Sequence, residues 1–228
     1  MKLSVIIPTY NEEENITHLL TRLFQSTQKE KLEIIIVDGC STDKTKELVK
    51  QFKVEFFCAN VQSRAAQMNF GAKRATGDVL YFVHADTLPP TSFYEDIQKA
   101  IKNGNKAGCY RFKFNSPNIL LKLNAFMTRF PFLICRGGDQ SLFITKELFF
   151  SLGMYDEYYS IMEEYDLIQK IKSKEQFKII QKDIIVSARK YRNNSYLRVQ
   201  KANYTAFKMF KSGVHPDEIK AKYYNLLN

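Results

Sequence analysis

The chain predicts an α/β fold, a mostly parallel sheet flanked by helices with a helical elaboration at its C-terminal end. Three observations carry this expectation. "LSVIIP" (3–8) and "LEIIIVDG" (32–39) are apolar at successive positions, so both faces of these strands are covered, as in a parallel sheet. Segments with helical spacing alternate with them through the first hundred residues. Strand-like segments then thin out, and helical patterns dominate after residue 191.

Element by element, "LSVIIP" ends at a proline, and "EEENITHLLTRLF" (12–24) sets Ile16, Leu19, Leu20 and Leu23 on one helical face. After the second strand, "STDKTKELVKQF" (41–52) opens with Ser, Thr and Asp, which cap helices. "VEFFCA" (54–59) predicts a third strand, "SRAAQMNFGAKRAT" (63–76) a helix and "GDVLYFVHA" (77–85) a fourth strand. Farther on, "AGCYRFKF" (107–114) reads as a strand and "PNILLKLNAFMTRF" (117–130) as a helix. "EEYDLIQKIKS" (163–173) predicts a short helix, and residues 177–191 contain a strand. Two helices, 195–213 and 216–227, close the chain. No repeat, low-complexity stretch or linker divides it, so one domain of 228 residues is expected: a half at 1–90, a second at 91–190 and a basic helical region at 191–228.

Composition narrows the classes. Apolar residues make up 45% of the chain, enough for a core, and no apolar run reaches the 18 residues of a membrane span. The N-terminus has no cleavage-site pattern and reads as a first strand. The four cysteines show no Cys-x-x-Cys, so reduced thiols in a cytoplasmic protein are expected. The net charge of +10 is uneven: residues 187–228 carry nine Lys/Arg against Asp217 and Glu218. That basic end is a solvated helix face or a contact for an anionic membrane. Its apolar and basic residues fall on different sides, which argues against nucleic acid stacked among them.

In a parallel sheet the C-terminal strand tips line one crevice. Here those tips read "PTYNEEE", "VDGCSTD" and "HADT", gathering Thr9, Tyr10, Glu12, Asp38, Asp43, His84 and Asp86. No glycine-rich phosphate loop follows the first strand. Carboxylates at such tips hydrogen-bond a base or ribose, or hold a hard cation that grips phosphates. Taken singly, each has a plainer reading: Asp43 as a helix cap, Asn11 and Asn15 as turn and cap residues, Asp86 as a loop aspartate.

"VIIPTYNEEENI", "IIVDGCSTDKT" and "SRAAQMNFGAKRATGDVLYFVHADT", in this order, resemble the nucleotide-sugar half of the family-two glycosyltransferases of GT-A fold. "GGDQSLFITKELFFSLGMYDE" and "IMEEYDL" resemble the family's acceptor-side segment and its Glu-Asp-x-Asp-Leu-like motif. "VSARKY" before a basic helix is similar to the radical-SAM/selenodomain-associated subgroup. The resemblance implies an inverting transfer of sugar from a UDP- or GDP-sugar to an acceptor hydroxyl, assisted by Mg²⁺ or Mn²⁺. It implies that Pro8, Thr9, Tyr10, Glu12, Asp38 and Arg64 bind the nucleotide sugar, that Asp86 holds the metal, and that Glu164 is the general base. Arg189 is implied as a diphosphate contact. Two departures stand out: His84 replaces the first aspartate of the D-x-D motif, and Glu163-Glu164 replaces Glu-Asp. Residues 115–140 belong to the acceptor side, where "NILLKLNAFMTRFPFLI" reads first as core packing and second as a docking site for a lipid-linked acceptor. A sugar nucleotidyltransferase is the rival enzyme, disfavoured by the acidic loop after the first strand; a non-catalytic nucleotide-sugar-binding or basic scaffold protein is the rival outside enzymes.

Overall fold

The computed structural model describes residues 1–26, 28–59 and 62–227. An eight-stranded sheet runs in the order β3-β2-β1-β4-β7-β6-β8-β5. Strands β1 (Leu3–Thr9), β2 (Leu32–Asp38), β3 (Glu55–Cys58) and β4 (Val79–Phe82) are mutually parallel. Strand β1 lies in the middle of this group, fully buried along its length, which explains why apolar residues sit on both its faces. Beyond β4 the sheet is mixed. β7 (Leu142–Thr145) runs antiparallel to β4 and to β6 (Ala107–Phe114). β6 is parallel to β8 (Phe177–Val186), and β8 is antiparallel to the two-residue β5 (Thr87–Leu88).

Helices cover both faces. One core gathers Val5, Ile7, Ile34 and Tyr81 under α1 (Ile16–Phe24), α2 (Thr45–Val49) and α4 (Phe93–Lys102). The other packs Ile6, Ile35, Val37 and Phe82 against α3 (Arg64–Arg74), α6 (Lys146–Ser151) and α7 (Glu163–Lys174). Gly71 of α3 rests on Ile6, where a Cβ would come within 2.6 Å of the isoleucine methyl; this helix can approach the sheet only with glycine there. A third, smaller cluster joins Met162 to Ala206, Phe210 and Ile219 of α8 (Tyr196–Lys211) and α9 (Pro216–Leu227).

The structure revises three expectations. Strand β4 ends at Phe82, not 85, because the chain turns away after Val83 to pair as β5 with β8. Helix α1 starts at Ile16 and α2 at Thr45, each after a loop held by side chains. Helix α5 (Ile119–Met127) is not core packing: Leu121 is its one buried residue, and Ile119 is 72% exposed.

Glu33 shows how a polar group steadies the far end of the sheet. Burial opposes its charge, but hydrogen bonds from Ser4, Thr76 and Lys2 outweigh that and hold its carboxyl at about 2, against an ordinary 4.5. A depressed carboxyl stabilises the fold above its unfolded value and loses that contribution as pH falls from 4.5 towards 2. Glu33→Gln is therefore expected to cost about 1–3 kcal/mol at pH 7 and much less at pH 2–3. Urea unfolding at the two pH values checks this; an equal loss at both would refute it.

Candidate active site

The strand tips converge as the topology demands. Thr9 ends β1, and its hydroxyl donates to Asp38 Oδ1 at 2.8 Å. Asp38 also accepts from the backbone N–H of Ser41 at 2.7 Å and from the Ser41 hydroxyl at 2.6 Å. Gln67, buried on α3, donates to the carbonyls of Thr9 and Val37 and so ties the two tips together from beneath. Asn11 takes a left-handed φ of 53°, and its side-chain oxygen accepts from the Thr42 N–H. Asp43 caps α2 through Thr45 and accepts from the Glu13 N–H, which is the plainer reading of that residue.

The pairing of β5 with β8 sets Asp86 beside Ser187, whose N–H donates to the Asp86 carbonyl at 3.2 Å. Arg189 follows at once. Its guanidinium grips Glu12 with two hydrogen bonds of 2.7 and 3.1 Å and lies 3.2 Å from Asp86 Oδ2. Burial and then the nearby Asp139 push the Asp86 carboxyl up, against the pull of His84 and Arg189.

The antiparallel register of β4 and β7, with Phe82 opposite Leu142, carries His84 towards the turn that holds Asp139. His84 Nδ1 is 3.8 Å from Asp139, and Nε2 is 3.3 Å from Glu164 Oε1. Glu163 and Glu164 open α7, directly after Met162, which holds a left-handed φ of 72°. Strain at such a residue clusters at functional sites, and the positive end of a helix favours carboxylates in its first turn. The two glutamates diverge. Burial opposes charge on Glu164, but His84 and Arg64 outweigh it and hold the carboxyl below the usual range. For Glu163 burial wins over the Arg64 guanidinium, 3.0 Å away, and pushes the carboxyl up. The charged form is thus favoured more on Glu164 than on Glu163. Its Oε1 is buried without an aligned hydrogen bond, although it faces a cleft.

That cleft measures about 1330 Å³. Pro8, Thr9, Tyr10, Glu12, Arg64, Asp86, Glu164 and Arg189 all line it, so it brings together every sequence-predicted site residue but one. Asp38 stays behind the wall at 2% exposure, its carboxylate occupied by Thr9 and Ser41. Glu163 lies under Arg64, and Asp166 turns back to Lys170 at 2.7 Å. Sequence reasoning assigned no role to Asp139 or Gln67, although both stand in the quoted segments "GGDQ" and "AAQMN". No periodicity marks such residues; only the β4–β7 pairing and the packing of α3 on the strand tips give them partners.

The cleft thus lies across the C-terminal tips of the parallel half-sheet, beside the acidic start of α7. The chain belongs to Glycosyl transferase family 2, whose pattern its residues 4–154 match. It is 36% identical over 110 residues to the dolichol-phosphate mannosyltransferase of Pyrococcus furiosus, covering 46% of this chain and 31% of that protein. It is 31% identical over 170 residues to a dolichyl N-acetyl-alpha-D-glucosaminyl phosphate 3-beta-D-2,3-diacetamido-2,3-dideoxy-beta-D-glucuronosyltransferase of Methanococcus voltae, covering 68% and 52%. The chain thus spans about half of that relative or less. Residues 1–349 of Staphylococcus aureus TarS, solved with UDP-GlcNAc, superpose with a TM-score of 0.68 at 18% identity, over all of this chain and 72% of that one. The mannosyltransferase PcManGT from Pyrobaculum calidifontis, solved with GDP-Man and Mn²⁺, gives 0.69 at 18% identity, over 98% and 68%. The chain is a family member of mixed, mostly parallel α/β fold.

Proposed function

We propose that the cleft transfers a sugar from a UDP- or GDP-sugar to an acceptor hydroxyl, inverting the anomeric carbon by direct displacement. The observation that carries this is Glu164, a buried carboxylate set against His84 Nε2 at 3.3 Å in the same cleft as Asp86 and the β1 tip. An acceptor O–H that donates to this carboxylate would give up its proton to it as the nucleophile attacks. Tyr10, 44% exposed in the cleft, offers a ring for the base, while Thr9 and Glu12 face the ribose. Asp38 acts from behind, holding Thr9 and Ser41 in place. Arg64 contacts Glu163 at 3.0 Å and, lining the cleft, faces the sugar.

The donor set suits a divalent ion. Among the described residues no three acidic, His or Cys side chains form a closed cage. Asp86 is a carboxylate whose charged partner in contact, among the described residues, is Arg189 at 3.2 Å. Mg²⁺ and Mn²⁺ in such sites rely on one or two carboxylates and the substrate's phosphates. Asp86 would hold the ion, which when bound supplies a Lewis-acid counter-charge to the departing diphosphate. Arg189, beside Glu12 and Asp86, would contact the diphosphate. The similarity of "VSARKY" before a basic helix to the radical-SAM/selenodomain-associated transferases supports, in our reading, membership of that subgroup.

Thermal-shift scans with nucleotides and nucleotide sugars, with and without Mn²⁺, test the proposal. A matched donor at a hundredfold excess over its Kd adds about 2.7 kcal/mol of stability. A panel in which no nucleotide or nucleotide sugar shifts the transition would overturn it.

The acceptor side is apolar. Phe112, Phe114, Leu123, Met127 and Ile134 line that part of the cleft. Outside it, Ile119, Phe126 and Phe132 stand exposed beside Lys122 and Arg129. No helix among the described residues is long and apolar enough to cross a membrane. We read this ledge, with basic α8, as a resting surface on an anionic membrane that presents a lipid-linked acceptor. Two relatives are named for dolichol-linked substrates, which supports the reading. Sedimentation with anionic vesicles at low salt should carry the protein down, each well-placed Lys or Arg adding about 1 kcal/mol. Phe132→Ser and added salt should each reduce binding; failure to sediment at low salt contradicts the surface role.

A further inference from the structure

Two of the four cysteines are set apart from the others. Cys109 is buried and Cys135 half-buried, whereas Cys40 and Cys58 are both exposed. Cys58 ends β3, in register with Asp38 at the end of β2. Two residues past Asp38, Cys40 takes a left-handed φ of 62°, and its side chain comes back onto β3. The two thiol sulfurs lie 3.1 Å apart, about 1 Å beyond the ~2.05 Å of a disulfide bond. Eighteen residues separate them in sequence, so the proximity is made by the parallel pairing of β2 and β3.

We propose that Cys40 and Cys58 form a modification site, a dithiol that closes reversibly to an intramolecular disulfide and thereby weakens nucleotide binding. With a hydroperoxide as oxidant, one thiolate attacks the peroxide oxygen. The O–O bond breaks, the sulfur becomes a sulfenic acid and an alkoxide or hydroxide leaves. The second thiolate attacks that sulfur, the S–S bond forms, and the sulfenic oxygen departs as hydroxide, protonated to water. Two thiols lose two electrons and two protons; the hydroperoxide becomes alcohol, or water, plus water.

The link to binding is the residue after Cys40. Ser41 donates from its N–H and hydroxyl to Asp38, and its oxygen accepts from the Asn11 N–H at 2.8 Å. Asp38 in turn fixes Thr9, and Thr9 and Tyr10 line the cleft. Drawing the Cys40 sulfur about 1 Å towards β3 pulls on this turn and displaces the β1 tip. That consequence rests on the nucleotide reading above; the disulfide itself does not.

The test treats the reduced protein with hydrogen peroxide, then follows thiol titre, intact mass, a non-reducing peptide map, and affinity for UDP and GDP. The expected result is a fall in titre from four thiols to two, a mass loss of about 2 Da, and a linked Cys40–Cys58 peptide. Nucleotide affinity falls severalfold and returns with dithiothreitol, while Cys40→Ser and Cys58→Ser keep theirs through oxidation. An unchanged titre, a sulfinic acid in place of the disulfide, or linkage to another cysteine or another molecule overturns the proposal. So does a Cys40–Cys58 disulfide that leaves affinity unaltered. If the reduced protein binds neither UDP nor GDP, the nucleotide reading fails, and mass and peptide map still decide whether the disulfide forms.

Discussion

Glu164→Gln is expected to slow sugar transfer by ~10²–10⁴-fold while leaving donor binding nearly intact. Glutamine keeps the shape of the side chain and removes the proton acceptor. The neighbouring Glu163→Gln supplies the contrast. Glu163 lies beneath Arg64 at 1% exposure and does not line the cleft, so its loss disturbs Arg64 and donor affinity more than the chemical step. His84 refines the expectation. Burial opposes the charge on its imidazole, but the Glu164 carboxylate outweighs that and pushes it up, and His84 in turn favours the charged form of Glu164. Single-turnover rates with a matched donor and acceptor separate the two glutamates. Full activity in Glu164→Gln with a dead Glu163→Gln would reverse the assignment.

Asp86→Asn is expected to lower Mn²⁺-dependent affinity for nucleoside diphosphate on the order of a hundredfold, at the upper end of what weaker outer partners of a metal cost. Affinity measured without metal should change little, because Arg189 keeps its two hydrogen bonds to Glu12. Calorimetric titration with UDP and GDP, with and without Mn²⁺, gives both numbers. Equal Mn²⁺ dependence in parent and variant would remove Asp86 from the site.

The half of the molecule that obeys parallel-sheet logic was readable from its residues. The runs at 5–7 and 34–37 are the buried middles of β1 and β2, apolar on both faces because helices cover both sides of the sheet. Their tips brought Thr9, Tyr10 and Glu12 to one edge by the same logic. Helix α4 escaped notice although Phe93, Tyr94, Ile97 and Ala100 make a regular buried stripe, because it follows a double proline that reads as a loop. Strand β7 is not expected from the sequence because α6 follows it at once, with no turn residues to set "LFIT" apart from the helix. The second half of the site depends on these antiparallel insertions. His84 meets Asp139 through β4–β7, and Asp86 meets Arg189 through β5–β8. Such pairings join residues far apart in the chain and leave no local periodicity. Glu164 came from a motif resemblance, and the structure supplies what the motif lacked: the burial, the His84 contact and the position in the cleft.

The central claim is that nucleotide, metal ion and base share this one cleft. A crystal structure of the protein with UDP or GDP and Mn²⁺ tests it most directly. The expected density places the base against Tyr10, the ion on Asp86, and Arg189 turned from Asp86 to the diphosphate, with Glu164 open to the acceptor side. Nucleotide bound away from the β1 tip, or an ion seated elsewhere while Arg189 still bridges Glu12 and Asp86, would contradict it.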